Sequence, residues 1–595
     1  MPLIFRPLGT LLLSATLGLA LTACGGSEAS GPEVPAGFTV GYGVKTYSFG
    51  WNASANATRY ELFEDPDGAV GPQPEVQIGG TIGSTSYAHS VASQLLHERV
   101  NASYRVRACD ASGCGAWTAA LVPDLAKAIG YFKASNSGET EGYGASVALS
   151  ADGSTLAVGA PGEASKAIGV EGAQADNSVP GAGAVYVFTR SASGWRQQAY
   201  LKASNTRTIP IPAPYPASMG RALFGTSVSL SADGNTLAVG APGEASNARG
   251  INGDQNNTQA PGAGAVYVFQ RTGDTTWAQQ AYVKADNTVA ATTYRLDVQG
   301  YYYLNSAHFG SGVSLSADGR QLAVIAPRAS EEALSAGSPT VFARAAYVFS
   351  LQDAAWRQQA YVSTPHASGF GSAWNVDSSI AMAADGRTVA LRSWPDEDLL
   401  VLANDGGTWK QQARLPLPGV RMRGFVVPST ALAADGNTLA VSTADSALVF
   451  VRNQGAWTEQ AALRPSARRD EYLTLALSND GNTLAVSTWA DASGATGIQG
   501  DRADTSVPDA GAVHLYQRSS AAWTQRAYLK ASNTNQGDRF GRSVALSGDG
   551  RTLAVGATGE DSKATSIQGD QSDNSSADIT PGMEPYSSYG AVYLY

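Results

Sequence analysis

The sequence predicts an all-β protein, a seven-bladed β-propeller preceded by a small β-sandwich. Three observations carry this prediction. One stretch is written three times with small changes, as ALSADGSTLAVGAP (148–161), SLSADGNTLAVGAP (229–242) and SLSADGRQLAVIAP (314–327). An Asp-Gly pair recurs at Asp152, Asp233, Asp318, Asp385, Asp435, Asp480 and Asp549, each time between two short apolar runs, which is a hairpin signature. Composition agrees, because 66 glycines in 595 residues with only 15% charged residues suit a chain dense in strands and turns.

Each repeat reads as four strands. In the first they are SVALS (146–150), TLAVGA (155–160), GAVYVF (183–188) and WRQQAYLKAS (195–204). Short antiparallel strands in units 45 to 85 residues apart favour propeller blades over a solenoid. The seventh unit stops at GAVYLY (590–595) without its fourth strand, while a matching strand, GYFKASN (130–136), stands ahead of the first unit. A propeller over 128–595 closed by the N-terminal strand 128–136 follows, since closure removes exposed sheet edges. Trp195, Trp277, Trp356, Trp409, Trp457 and Trp523 each open a fourth strand. A fixed place in six of the seven units reads as packing between blades rather than as a row of ligand-stacking rings.

These repeats resemble the FG-GAP repeats of integrin α-chain propellers and their bacterial relatives. The FG pair stands at Phe224-Gly225, Phe309-Gly310, Phe370-Gly371 and Phe540-Gly541, with Tyr143-Gly144 as a variant. GAP stands at Gly159-Ala160-Pro161 and Gly240-Ala241-Pro242, and the seventh unit has Gly556-Ala557-Thr558. The resemblance implies a calcium loop of the type D-x-[DN]-x-D-G in the first hairpin, but the hairpins here carry one carboxylate in Ser-Ala-Asp-Gly. Calcium takes six to eight oxygens, so that site does not transfer, and the Asp is a turn former.

Ahead of the array, residues 1–24 read as a targeting segment. LGTLLLSATLGLALTAC ends in Leu21-Thr22-Ala23-Cys24, which resembles a bacterial lipoprotein signal and implies cleavage before Cys24 and lipidation of its sulfur. Gly25 follows the cysteine, which in such proteins implies the outer membrane, and 25–34 reads as a tether. Residues 35–122 alternate polar and apolar in short runs such as RYELFE (59–64) and SYRVRA (103–108), as a β-sandwich does. Trp51, Tyr60 and YRVRACDASGCGAW (104–117) resemble a fibronectin type III module, commonly a spacer that would lift the propeller from the membrane. Lipidation of Cys24 leaves Cys109 and Cys114, close enough for a structural disulfide.

Four units carry an insertion between their second and third strands: 162–183, 243–264, 492–511 and 559–582. Their oxygen donors are Glu171 and Asp176; Asn252, Asp254 and Asn256; Asp501 and Asp504; and Asp570 and Asp573. Loops rich in oxygen and free of histidine suit a hard cation such as calcium, or they are solvated polar loops ordered by their own side chains. Two long links, 206–223 with four prolines and 286–308 with Tyr294, Tyr301, Tyr302 and Tyr303, share the end of the blades where the insertions lie. Long loops gather function, and tyrosines give contact area at small entropic cost.

Catalysis finds little support. The five histidines are scattered, and no nucleophile elbow, P-loop or dinucleotide cradle is present. The hairpin S-A-D-G-x-T differs from the Asp-box of sialidase propellers, lacking the residue between Asp and Gly and the final Trp, so a propeller glycosidase is the weakest reading. A net charge of −10 argues against nucleic acid. The expectation is a non-catalytic, lipid-anchored adhesion or recognition protein of the cell envelope that binds a protein or glycan, with a structural scaffold as the alternative.

Overall fold

The Asp-Gly hairpin sets the local geometry. In the computed structural model Ser150 Oγ donates to Asp152 Oδ1 at 2.6 Å, and the same oxygen accepts from the amide of Ser154 at 2.9 Å. Gly153 takes the left-handed turn at φ 65°, and Ser150 Oγ in turn accepts the Thr155 amide at 2.9 Å. The hydroxyl–carboxylate–amide pattern recurs at Ser231, Ser316, Ser478 and Ser547. Burial works against the charge on Asp152, but the hydrogen bonds outweigh it and hold the carboxyl below its ordinary range. The carboxylate is consumed by its own turn, so the calcium expected of the resembled family does not fit there.

The structure describes residues 31–211, 220–288, 294–296, 302–304, 306–330, 342–365, 378–393, 398–417, 429–465, 473–573 and 588–595. Among them are seven four-stranded antiparallel sheets. Sheet 1 runs from Ser146–Leu149 through Thr155–Ala160 and Ala184–Ser191 to Gly194–Leu201. Sheet 2 begins at Ser227–Leu230 and ends at Trp277–Val283, and sheet 3 runs from Gly312–Leu315 to Ala355–Pro365. Sheet 4 spans Ser378–Met382 to Thr408–Pro416, sheet 5 Thr430–Leu432 to Ala456–Leu463, and sheet 6 Leu475–Leu477 to Ala522–Leu529. Sheet 7 joins Phe540–Leu546, Leu553–Ala557 and Ala591–Leu594 to Gly130–Phe132, with Val592 opposite Phe132 and Leu594 opposite Gly130. A strand that precedes sheet 1 in the chain thus supplies the outer strand of sheet 7.

Backbone hydrogen bonds link the hairpins in a circuit. The amide of Ala151 donates to Ala232 O, Ala232 to Ala317 O, Ala317 to Ala384 O, Ala384 to Ala434 O, Ala434 to Asn479 O and Asn479 to Gly548 O. Asp549 N then donates back to Ala151 O at 3.3 Å. The sheets therefore form a closed β-propeller.

Neighbouring sheets touch where the sequence writes FG and GAP. Gly225 N donates to Gly240 O, and Ser146 Oγ reaches Gly225 O at 2.8 Å. A Cβ on Gly159 would lie 2.1 Å from Gly225 O, one on Gly240 2.0 Å from Gly310 O, and one on Gly556 2.1 Å from Gly144 O. Only glycine allows that approach. Phe224, Phe309 and Phe540 are buried beside these contacts.

The repeated tryptophans pin the outer strands. Nε1 of Trp277 donates to Gln198 Oε1 at 3.0 Å, Trp356 to Gln280 at 2.9 Å, Trp457 to Gln412 at 3.2 Å and Trp523 to Gln460 at 3.1 Å, each reaching the preceding sheet. Trp195 instead packs edge-on to Phe132 of sheet 7, and Trp409 packs against the core between sheets 3 and 4.

Residues before the propeller form two three-stranded sheets, Thr39–Gly43, Thr46–Gly50 and Ser86–Ser90 in one, and Val76–Ile82, Arg59–Asp65 and Ser103–Cys109 in the other. Tyr47, Phe49, Trp51, Tyr60, Leu62, Tyr104 and Val106 are buried in one core, and Cys109 is bonded to Cys114. This unit is seated on sheet 7 rather than strung ahead of it. Lys45 Nζ, buried, donates to Arg551 O at 2.7 Å and to Tyr595 O at 3.0 Å, and Lys45 N donates to Ala128 O.

The glycine contacts generate a test. Replacing Gly556 by Ala should cost about 1–3 kcal/mol or more through overpacking against backbone that cannot rotate away. Gly83→Ala, where an added Cβ meets nothing within 4 Å, should leave the melting curve close to that of the parent. Equal melting temperatures for the two variants would remove the close approach as a determinant of closure.

Candidate functional site

In each sheet the Asp-Gly turn and the third-to-fourth connection lie at one end. The insertions and the links to the next sheet lie at the other. The insertions belong to sheets 1, 2, 6 and 7, which are consecutive around the circuit of hairpins, so they form one arc.

Buried ion pairs fix this arc. Lys202, at the end of the fourth strand of sheet 1, and Glu163, just after its second strand, are both fully buried, with Nζ 2.5 Å from Oε2. Lys284 and Glu244 repeat the pair in sheet 2 at 2.8 Å, and Lys133 and Glu560 repeat it in sheet 7 at 2.7 Å. In sheet 6 an aspartate takes the place of the glutamate, with Lys530 and Asp491 3.2 Å apart. Burial pushes the Lys202 ammonium below its ordinary range and Glu163 pulls it back. Such a pair survives burial only when the remaining donors and acceptors are satisfied. Glu163 meets that condition, accepting from Tyr200 Oη, Asn136 Nδ2 and the Ser165 amide, while Lys284 also donates to Ser246 O.

An asparagine three residues after each lysine carries the network to the next sheet. Asn136 donates to Glu163, Asn205 to Glu244 and Asn533 to Glu560, at 2.9–3.1 Å. Tyr186, Tyr267 and Tyr593 close it by donating to the side-chain oxygens of Asn136, Asn205 and Asn533. In the amino-acid order this relay shows only as a lysine ending an apolar strand and, in sheets 1 and 2, a glutamate after Pro-Gly. Neither marks a site by itself, because the partners lie 39 or 40 positions apart in sheets 1, 2 and 6 and 427 apart in sheet 7.

The insertions lie along the outer strand of their own sheet. Glu171 N donates to Tyr200 O, and Tyr200 N donates to Glu171 Oε1 at 2.7 Å. Asn252 makes the same exchange with Tyr282, and Gln568 with Tyr131. Glu171, Asn252, Gln499 and Gln568 all have φ between 53° and 62°, so one residue of each insertion turns sharply to cover the sheet edge. Glu171 and Asn252 are thereby committed to backbone.

The other oxygen donors expected of the sequence act within their own loops. Asp176 pairs with Lys166 at 2.8 Å and accepts the Ser178 amide. Asp254 accepts the Asn256 amide, Asp501 the Ala503 amide, Asp504 the amides of Gly494 and Ser506, and Asp570 the amide and hydroxyl of Ser572. Asp573 adds its charge to the burial and the Glu560 charge that raise the Asp561 carboxyl above its ordinary range. Among the described residues no three acidic side chains converge as a metal cluster; the one candidate grouping is Glu61 with Cys109 and Cys114, and those sulfurs are in the disulfide.

Tyr294–Leu296 and Tyr302–Leu304 pair as a two-stranded hairpin, with Arg295 opposite Tyr303. The link 286–308 therefore has strand structure of its own. Tyr301, Phe370-Gly371, Cys24 and the first part of the tether lie outside the described residues.

One further acid is unusual. Glu141, in the link before sheet 1, is buried with Oε2 unpartnered. Burial, reinforced by the charge of Glu163, pushes its carboxyl up to about 8, which favours the protonated acid at neutral pH.

The FG-GAP repeat model matches residues 523–572, which span the fourth strand of sheet 6 through the insertion of sheet 7. No curated protein matches the sequence. Solved structures with similar folds include the β-propeller domain of Cps50 (Swd1) from Myceliophteria thermophila, at 12% identity over 69% of this chain and 92% of that one, TM-score 0.38. Hydrazine synthase of Kuenenia stuttgartiensis matches at 13% identity over 70% and 92% of the two chains, TM-score 0.37. The periplasmic gluconolactonase PpgL of Pseudomonas aeruginosa matches at 16% identity over 80% and 98%, TM-score 0.37.

Two measurements follow. Lys202→Met leaves Glu163 charged, buried and short of its partner, which should destabilise the chain by about 3–5 kcal/mol. Adding Glu163→Gln should restore part of the loss in chemical denaturation, and strict additivity would contradict the pairing. Glu141 has the opposite pH signature to a salt-bridged acid. Its folded value lies above the unfolded one, so its contribution is full at low pH and is lost as pH rises from about 4.5 to about 8. Melting temperatures of Glu141→Gln between pH 5 and pH 9 should fall less steeply than those of the parent, and parallel curves would show that Glu141 does not titrate in that window.

Proposed function

We propose that the chain is a lipid-anchored protein of the cell envelope, held in the outer membrane, with a fibronectin type III-like sandwich seated on a closed seven-bladed propeller. It acts as a non-catalytic adhesion or recognition module. It binds a protein or glycan through the insertion end of sheets 6, 7, 1 and 2 and the neighbouring link that carries Tyr294, Tyr302 and Tyr303.

The observation that carries the reading is the three buried ion pairs, with a fourth partly buried, at the base of the insertion arc. Buried ion pairs contribute little net stability compared with apolar packing. What they do supply is a fixed position for the loops above them, whose exposed Asp, Asn and Gln side chains then need little ordering on contact with a partner. The similarity to the FG-GAP repeat over 523–572 is compatible with this use.

The test compares the full chain with a version whose 166–178, 247–259 and 563–573 segments are shortened to Gly-Ser links, after melting curves show that both fold. Retention of one protein or glycan by the intact chain, and a loss of at least about tenfold in affinity on trimming, is the expected result. Equal binding, or none to either, would leave a structural scaffold as the better reading. Turnover of a sugar lactone by the purified chain would replace recognition with catalysis.

Anchoring has its own test. Cys24→Ser should move the protein from the membrane pellet to the soluble fraction and abolish incorporation of labelled fatty acid. An unchanged membrane fraction would exclude lipidation at Cys24 as the anchor.

A further inference from the structure

At the seam between sheets 6 and 7 two arginines gather around one tryptophan ring. Cζ of Arg539 and Cζ of Arg542 each lie 5.9 Å from the ring centroid of Trp489. Trp489 follows the second strand of sheet 6, Thr483–Thr488. The arginines stand on either side of the Phe540-Gly541 pair that opens the first strand of sheet 7. Gly541 brings the two sheets together, since a Cβ there would lie 2.6 Å from Cβ of Ser487.

The fold asks for none of these three side chains. Arg542 N donates to Arg539 O, as Ala145 does to Gly142 O, Thr226 to Leu223 O and Ser311 to His308 O. The positions of Arg539 and Arg542 are therefore held by glycine and alanine in sheet 1, leucine and threonine in sheet 2, and histidine and serine in sheet 3. Arg539 has φ 55°, a conformation that glycine adopts at no steric cost. Asp491 N donates to Thr488 O, as Glu163 does to Ala160 O and Glu244 to Ala241 O, which sets Trp489 level with Pro161 and Pro242.

Other arginines that meet tryptophan in this chain show what a structural pair looks like. Arg271 lies over Trp277, Arg452 over Trp457 and Arg518 over Trp523. Each is also tied to protein oxygens, Arg271 to Gly234 O, Arg452 to Asn437 and Arg518 to Asn482. Among the described residues, Arg539 and Arg542 make no side-chain hydrogen bond and no ion pair, and both are partly exposed. A cation held over an aromatic face keeps the N–H donors in its own plane free. The indole thus places two guanidinium groups without consuming their donors. Burial and the charge of Arg542 weaken the hold of Arg539 on its proton, and Asp509 alone opposes them. Two arginines facing one aspartate leave one positive charge unmatched.

We propose that Arg539 and Arg542, positioned by Trp489, bind the carboxylate of an acidic sugar at the insertion end of this seam. The planar fork of arginine takes a carboxylate in two parallel hydrogen bonds. A densely charged polyanion would be repelled by the net charge of −10 and by the exposed Asp501 and Asp570 of the adjoining insertions. Those insertions are rich in Asn, Gln, Ser and Thr, which match sugar hydroxyls, whereas a protein partner calls for buried aromatic or aliphatic anchors. The assignment deepens the recognition reading and rests on it.

The experiment is calorimetric titration of the purified full chain with glucuronate and with sialyllactose, two sources of the same carboxylate. Glucose, lactose, triglutamate and inorganic phosphate are titrated in parallel. We expect at least one acidic sugar to bind, its neutral counterpart to bind at least about tenfold more weakly, and affinity to fall as salt is raised. Arg539→Gly and Arg542→Ala, which install the residues of sheet 1, should each weaken binding by at least about tenfold while melting no lower than the parent. Arg539→Gln and Arg542→Gln take their place should either fail to fold. Arg357→Gln, exposed on the fourth strand of sheet 3, should bind as the parent does. Binding of neither acidic sugar would overturn the site. So would equal binding of the neutral sugars, tighter binding of triglutamate or phosphate, or acidic-sugar binding that persists in both arginine variants. A partner kept by both arginine variants but lost on trimming the insertions would remove this site and leave recognition standing. Sugar binding that survives trimming but not the arginine changes would keep the site and remove the insertions as the recognition surface.

Discussion

The close contact between one glycine of each GAP segment and the FG glycine of the next sheet sets the spacing on which the propeller depends. At Gly159, Gly240 and Gly556 a single methyl group would run into a carbonyl oxygen of the neighbouring sheet. That approach brings the inner hairpins near enough for their amides and carbonyls to link in a circuit, and it lets Phe224, Phe309 and Phe540 be buried at each seam. Repetition converts a local steric rule into a ring. When sheet 7 applies the rule to Gly144, at the entry to sheet 1, the last four-stranded sheet meets the first.

At the opposite end of the sheets a different problem is solved. Long insertions carry many backbone polar groups, and loops with that composition would ordinarily stay solvated. Here each is laid along the outer strand by one residue with positive φ; in sheets 1, 2 and 7 its base is tied down by a lysine–glutamate pair, an asparagine and a tyrosine, and in sheet 6 by a lysine–aspartate pair and a tyrosine. Because Asn205 serves the glutamate of the next sheet and Lys202 that of its own, the polar network is continuous from sheet 6 to sheet 2. An exposed chain of charges would be screened and weak. Buried and fully hydrogen-bonded, it defines the positions of the loops it supports.

The small N-terminal unit shows how an interface alters a domain's meaning. Read in isolation, residues 35–122 suggest a spacer. Lys45 changes that, because its ammonium is buried against carbonyls of sheet 7 and burial lowers its affinity for a proton to about 7. The core of the unit is also continuous with that of sheets 6 and 7. The two parts therefore share a core and an orientation.

Much of this was legible from the amino-acid order alone. The period of the Asp-Gly turns, the alternation of the strands and the tryptophan before each fourth strand are local signals, and local sterics and hydrogen bonding determine what they become. The strand at 130–136 could be matched to the incomplete last repeat because both carry the same words. What the sequence could not decide is which polar residues meet. Glu171 and Asn252 look like ligands in one dimension, but the chain path spends them on a strand edge, while Glu163 and Lys202 look unremarkable and become a buried pair. Burial and partnership are properties of residues far apart in the chain, and only the tertiary structure, which removes some oxygens from water and leaves others without a partner, distinguishes a loop-forming acid such as Asp570 from an uncompensated one such as Glu141.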